Sequence, residues 1–101
     1  MAEEAEDDAV AEAEDRARRL ADRDRADWSW LLADRRGRRI LWGLMADAGL
    51  FRVSHAGEAL ATAFNEGRRA VGLALLDKTL TIDAAAFGRM QQEAAADASE
   101  K

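Results

Sequence analysis

The stretch from Asp27 to Leu50 reads DWSWLLADRRGRRILWGLMADAGL and decides the fold. It holds all three tryptophans of the chain and the arginine-rich run RRGRR. Asp34 is a suitable N-cap, and Gly49 is a residue type that commonly follows the last helical turn. Between them, apolar residues recur at i, i+3/i+4 spacing. The pattern predicts a helix over 35–48 with a core-facing stripe of Ile40, Leu41, Leu44, Met45 and Ala48.

Two further helices are predicted downstream of this stretch. The first runs over about 56–80 with Ser54 as its cap, and its glycines, Gly67 and Gly72, predict close approach of another backbone. Its inward side is predicted to be Leu60, Phe64, Gly67, Val71 and Leu75. Phe51, in the connector before it, is expected to plug the core. A turn-and-cap cluster, Thr79, Thr81 and Asp83, then precedes a last helix through about residue 95, with Ile82, Ala86, Phe87 and Met90 inward.

Upstream, residues 1–8 read as a disordered acidic arm, followed by a helix over about 9–25 with a thin apolar stripe. Asp27 is a plausible cap for a separate short helix, Trp28–Ala33. The sequence therefore predicts an all-α fold: a small helical bundle built on a helical hairpin, 35–48 against 56–80, with an acidic flexible N-terminal arm. The predicted segments are an acidic then arginine-rich arm or helix (1–26), a helical domain (27–96) and a flexible tail (97–101).

Composition and charge restrict the class of protein. The chain has 101 residues, no proline, no cysteine and a net charge of −5. Residues 1–15 carry eight acidic residues and no basic one, whereas residues 16–39 carry nine arginines against four acids. No apolar run approaches the roughly 20 residues of a membrane span, and the acidic N-terminus does not resemble a secretory signal. We expect no membrane partner.

Catalytic chemistry has little support in the sequence. His55 is the only histidine, and without cysteine it cannot build a strong zinc site. No nucleotide-binding glycine motif occurs. We therefore expect a protein that is not an enzyme and that has no catalytic residue, metal site or cofactor.

The arginines and tryptophans are the candidate binding residues. Arginine forks suit carboxylates or phosphates, and aromatic and arginine side chains are enriched at binding hot spots. Four arginines opening a helix oppose its dipole, so they require carboxylate partners: Asp27, Asp34 and the acidic arm, or another chain. Trp28 and Trp30 point in different directions on a helix, so one can pack in the core while the other anchors a partner. For each of them taken singly, core packing is the better expectation. The predicted partner-binding residues are Trp28, Trp30, Trp42, Arg36, Arg38 and Arg39.

Two ordered blocks of residues stand out. The first block comprises Asp27, Trp28, Trp30, Leu31, Arg36, Gly37, Arg38, Arg39, Trp42, Leu44, Gly49, Phe51 and Arg52. The second comprises Phe64, Glu66, Gly67, Arg69, Gly72, Leu73, Leu75 and Leu76. Together the two blocks resemble a family of small proteins encoded among the virion-assembly genes of tailed bacteriophages, typified by a protein of a short-tailed Bordetella phage. Where this chain has Arg35, family members commonly have proline.

The resemblance implies a phage or prophage origin and a place in virion morphogenesis, with no cofactor and no catalytic residue. The expected function is a structural or assembly protein that binds other virion proteins, in the host cytoplasm during assembly or in the virion, with homo-oligomers among its assemblies. The alternative is a nucleic-acid-associated module that acts in genome packaging or ejection through the arginine cluster. Against the alternative stands the acidic isoelectric point, near 4.9.

Overall fold

Four α-helices make up the computed structural model, which describes residues 2–53 and 57–100. They are α1 (Ala2–Ala33), α2 (Arg35–Asp47), α3 (Ala59–Ile82) and α4 (Ala84–Ser99), and these two ranges contain no strand. α2 packs against α3 as the predicted hairpin, and α1 and α4 each pack against both. The all-α prediction of a small helical bundle is confirmed.

The core of the bundle is small and lies where the four helices meet. Its buried apolar residues are Leu32, Leu41, Met45, Leu50, Ala86 and Met90. Around them pack the half-buried residues Trp28, Leu31, Trp42, Leu75, Leu76, Ile82 and Phe87. The inward positions predicted for the last helix are thus confirmed.

Three helix ends follow residues that the sequence predicts, whereas Thr79 and Thr81, predicted to form a turn-and-cap cluster with Asp83, lie inside α3. The Asp34 carboxylate caps α2, and Asp83 caps α4 by accepting from the backbone N–H of Ala85 at 3.2 Å. At the end of α2, Gly49 has φ +80° and the Leu50 N–H donates to the Met45 carbonyl at 3.1 Å. With the bond from the Gly49 N–H to the Ala46 carbonyl, this is a Schellman motif, which turns Leu50 into the core.

The predicted boundary at Asp27 is wrong. α1 continues without a break from Ala2 to Ala33, so no separate aromatic helix exists and residues 2–8 are helical rather than irregular. The sequence between residues 26 and 28 contains no glycine or proline, so nothing forces a break there. The predicted Ser54 cap and the predicted start at residue 56 lie outside the described residues, and α3 begins after Glu58, whose side chain makes no capping bond.

Parts of the predicted apolar stripes are also wrong. On α3, Leu60, Phe64 and Val71 are exposed, and Gly67 has open space beside it. The fully buried residues of α3 are instead Gly72 and Thr79, while Leu75, as predicted, packs half-buried against the core. A Cβ at Gly72 would lie 3.2 Å from the Ala48 Cβ, so the predicted close approach is confirmed there. The Thr79 hydroxyl, fully buried, donates to the Leu75 carbonyl at 2.8 Å. Ile40 and Leu44 of α2 and Phe51 of the connector, all predicted inward, are also exposed.

The corner between α1 and α2 is tight because a single residue, Asp34, separates the two helices. Gly37, in the first turn of α2, is buried against the end of α1. A Cβ built on it would lie 2.1 Å from the Leu31 carbonyl oxygen, a distance that no side chain can occupy. The glycine in RRGRR is therefore required by the fold.

We expect Gly37→Ala to lower the free energy of unfolding by about 3 kcal/mol, because α1 and α2 must separate to admit the methyl group. Gly43→Ala in the same helix is the matched control: its Cβ would meet nothing within 4 Å. That change should stabilise the protein by up to about 1 kcal/mol through helix propensity. Urea denaturation followed by circular dichroism measures both. Equal stabilities of the two variants would contradict this account of the corner.

Candidate partner-binding surface

The arginine cluster lies at the α1–α2 corner, against the C-terminal half of α4. Arg38 is its most buried member, with 12 % of its side chain exposed. Its Nε donates to Glu93 Oε1 at 2.7 Å and its Nη1 donates to the Leu32 carbonyl at 2.8 Å. Because the Leu32 carbonyl is one of the unpaired acceptors at the end of α1, Arg38 both caps α1 and joins it to α4.

Arg35 and Arg39 pair with the same face of α4. Arg35 Nε lies 3.5 Å from Glu93 Oε2, and Arg35 Nη2 donates to Asp97 Oδ1 at 3.3 Å. Arg39 Nε lies 3.8 Å from Asp97 Oδ2. The carboxylate partners that the arginines require therefore come largely from α4, one turn apart, and not from the acidic arm.

The remaining arginine, Arg36, pairs with the helix cap. Asp34 accepts from the Arg36 backbone N–H at 2.8 Å and from its guanidinium at 2.9 and 3.2 Å. These side-chain bonds, then the backbone bond, lower the pKa of Asp34 from 3.8 to about 2. The same pairing raises the pKa of Arg36. Asp34 thus acts both as the predicted helix cap and as one of the carboxylate partners predicted for the arginines.

Sequence reasoning missed Glu93 and Asp97. The predicted end of the last helix, near residue 95, is wrong, because α4 continues to Ser99 and its i, i+4 spacing places Glu93 and Asp97 on one face. The nearby Arg89 pairs instead with Asp83 at 2.5 Å. A pair of acids whose only nearby base on the same helix is paired with another acid is a signal for a basic partner elsewhere in the chain. That signal could have located the α2–α4 contact.

The three tryptophans have different environments. Trp28 is half-buried against the core. Trp42 is also half-buried, and its ring stacks on Phe51 with centroids 4.6 Å apart and lies 5.9 Å from the ring of Phe87. Trp30 is 74 % exposed, so the expectation of core packing is wrong for this residue. Trp30 and Trp28 border an open groove with Asp24, Asp27 and Leu31.

The N-terminal half of α3 adds a second apolar surface. Leu60, Phe64 and Val71 are 83, 66 and 59 % exposed, and spacings of four and seven residues place them on one side of the helix. An open groove there is lined by Glu58, Leu60, Ala61, Ala63 and Phe64. Arg68 contributes a cation near this surface, with its guanidinium 5.9 Å from the Phe64 ring centroid.

Among the predicted binding residues, Trp30, Arg36 and Arg39 therefore present most of their side chains to solvent. Trp28, Trp42 and Arg38 are largely engaged in packing. His55 lies outside the described residues, which contain no cluster of three potential metal-ligating side chains. Within the same ranges, no helix is both long and apolar enough to cross a membrane.

Replacing Arg38 by alanine should lower the free energy of unfolding by about 2 kcal/mol, because it leaves the mostly buried Glu93 with only the more distant Arg35. Arg39→Ala is the control, since its side chain is 59 % exposed and its pair with Asp97 is long. The control should change stability by less than about 0.5 kcal/mol. Thermal or urea unfolding of both variants provides the measurement. If both substitutions proved equally mild, Arg38 would not join the helices as described.

The lowered pKa of Asp34 predicts a defined acid dependence. A carboxylate with a depressed pKa adds stability that is present above its unfolded value, 3.8, and is lost as the pH falls through about 2. Asp34→Asn keeps the cap but removes the charge, so it should be less stable than the unmodified protein at neutral pH. That difference should shrink as the pH falls below 3.8 and vanish below about 2. Carboxyl NMR titration and unfolding curves at several pH values test this, and a normal Asp34 titration would contradict it.

Comparison with known proteins connects this bundle to a phage family. A family model described as Bbp19-like phage protein matches residues 28–92, more than half of the chain. No curated protein and no solved structure matches the chain. The matched residues begin at Trp28 and contain the arginine cluster, all of α2 and α3, and α4 as far as Gln92, so the match ends just before Glu93. The chain therefore belongs to the Bbp19-like phage protein family.

Proposed function

We propose that this phage protein is a non-enzymatic structural or assembly protein that binds other virion proteins. Membership of a phage protein family supports the setting. The observation that carries the proposal is Trp30, which is 74 % exposed although its neighbour Trp28 packs into the core. The proposed sites of action are the host cytoplasm during assembly and the virion.

Trp30 has the properties of an anchor for a protein partner. A tryptophan ring offers up to about 250 Å² of contact area, so leaving it in water forgoes a large gain from burial. Its position on a regular helix next to the packed α1–α2 corner fixes the backbone of Trp30 before binding. Tryptophan is also enriched among the residues that dominate binding energy.

The apolar side chains of α2 and α3 extend the surface available to partners. Ile40, Leu44, Leu60, Phe64 and Val71 are each more than half exposed. Single exposed apolar residues are common, but a row of them along one side of a helix is typical of a protein-binding surface. The second proposed contact is therefore the Leu60–Phe64–Val71 side of α3.

The nucleic-acid alternative loses its main support from the pairing of the arginines. Arg35, Arg38 and Arg39 contact carboxylates of α4, and Arg36 contacts Asp34. Phosphate binding would have to compete with these ion pairs. The chain as a whole is acidic, so it lacks the long-range attraction that nucleic-acid binders use.

The proposal predicts that Trp30→Ala abolishes or strongly reduces assembly while the protein stays folded. A phage lacking the gene would be complemented in trans with the variant, and intact particles counted by electron microscopy and infectious titre. Ser29→Ala, an exposed change at the adjacent position, is the matched control and should complement fully. Phe64→Ser tests the second contact in the same way.

Normal particle yield with both Trp30→Ala and Phe64→Ser would refute binding through these surfaces. Nucleic-acid binding is checked separately by titrating purified protein with duplex DNA at several salt concentrations. Affinity that falls steeply with salt and is lost in Arg36→Ala/Arg39→Ala would favour the packaging or ejection alternative.

A further inference from the structure

Most of α1 extends away from the bundle. Every residue from Ala2 to Asp27 is exposed, a length of about 39 Å of helix. The radius of gyration of 19.4 Å exceeds the ~13 Å of a compact domain of 100 residues for this reason. An ion pair between Asp24 and Lys78 of α3 lies close to where α1 joins the bundle.

This exposed segment carries a narrow apolar stripe. Val10, Ala13, Ala17 and Leu20 lie on one face of α1, at spacings of three and four residues. The same face continues through Trp28 and Leu31, which pack on the core. Val10 is 56 % and Leu20 48 % exposed, so the part of the stripe beyond the bundle is uncovered in the single chain. Its alanines allow another helix to approach closely.

The charges along α1 are strongly polarised. Residues 1–15 carry eight acids and no base, whereas residues 16–25 carry five arginines and two acids. Only Asp15 of the first group has an ion pair among the described residues, with Arg18 and Arg19. Seven acids are therefore left for a partner: Glu3, Glu4, Glu6, Asp7, Asp8, Glu12 and Glu14.

We infer that two copies of this protein associate through α1, with the two helices antiparallel and the apolar stripes in contact. In this arrangement Val10 faces Leu20 of the second copy, and Ala13 faces Ala17 of the second copy. The stripe is self-complementary because both pairs are centred on residue 15. The acidic half of each α1 then lies beside the arginine-rich half of the other.

Electrostatics selects the antiparallel orientation. Parallel helices would place the two acidic halves side by side, about 10 Å apart. Antiparallel helices separate the centres of the acidic halves by about 21 Å, or more than two Debye lengths at physiological ionic strength. The repulsion is then screened, whereas the attraction between neighbouring acidic and basic halves remains.

The surface of this contact differs from the Trp30 and α3 surfaces and lies outside the residues matched by the family model. The inference can therefore fail while the proposed function holds, and the reverse. Virion-protein binding needs Trp30 and α3, whereas self-association needs the stripe from Val10 to Leu20.

The first test compares two identical substitutions on opposite faces of α1 by sedimentation equilibrium of the full chain. Ala13→Glu puts a carboxylate into the contact and should weaken dimerisation by about tenfold or more. Ala11→Glu adds the same charge about 160° away around the helix and should leave the dimer intact. Both positions are exposed in the single chain, so neither change disturbs the bundle. A monomeric unmodified protein, or a dimer that Ala13→Glu does not weaken, overturns the inference.

The second test determines the relative orientation of the two α1 helices by disulfide formation. The chain has no cysteine, so only the introduced cysteines can form disulfides. Val10→Cys and Leu20→Cys proteins are mixed and oxidised, with a tag on one so that the products differ in mass. Antiparallel pairing predicts the mixed disulfide, since two copies of position 10 would be about 15 Å apart along the helix axis. A disulfide needs Cα atoms within about 7 Å. Predominant Val10→Cys homodimers, or no cross-link, overturn the antiparallel arrangement.

Discussion

The close contact of Gly37 with the end of α1 is the constraint on which the bundle depends. Because Gly37 has no Cβ, α2 can approach the Leu31 carbonyl closely, and the two helices can meet across one residue, Asp34. That corner brings Arg38 to the Leu32 carbonyl and to Glu93 of α4. Gly37 thus allows Arg38 to cap α1 and to hold α4 against it. The run RRGRR, which in isolation suggests an external ligand, acts first within the chain.

The sequence predicted those features that depend on short-range chemistry. Asp34, Gly49 and Asp83 mark helix ends through local hydrogen bonds and backbone conformation, and each lies where capping rules place it. The last helix was also predictable, since Ala86 and Met90 are apolar at helical spacing and both are buried. The requirement of the arginines for carboxylates followed from the helix dipole, but their main partners did not, because Glu93 and Asp97 are more than fifty residues away.

The errors came from positions where burial does not follow hydrophobicity. On α3, the largest apolar residues, Leu60 and Phe64, are exposed, whereas Gly72 and Thr79 are buried. Gly72 is inside because α2 approaches closely, and Thr79 because its hydroxyl bonds to its own helix. A periodicity argument ranks both as poor core residues. The exposure of the tryptophans could not be predicted from spacing either. Spacing alone puts Trp28 and Trp30 on different faces, but only the packing of α1 decides which one is exposed.

Because large apolar residues are exposed while small and polar ones are buried, we interpret the exposed apolar residues as binding surfaces. A chain of 101 residues has little apolar area to spare, yet among the described residues only six apolar side chains are buried in the core, while seven large ones on α2 and α3 are exposed. Burying them against a partner would recover the stabilisation that the single chain lacks. The long exposed α1 poses the same problem, since a helix without tertiary packing is marginal in water. The family match covers residues 28–92, so it includes the bundle surfaces, whereas the exposed part of α1 from Ala2 to Asp27 lies outside it.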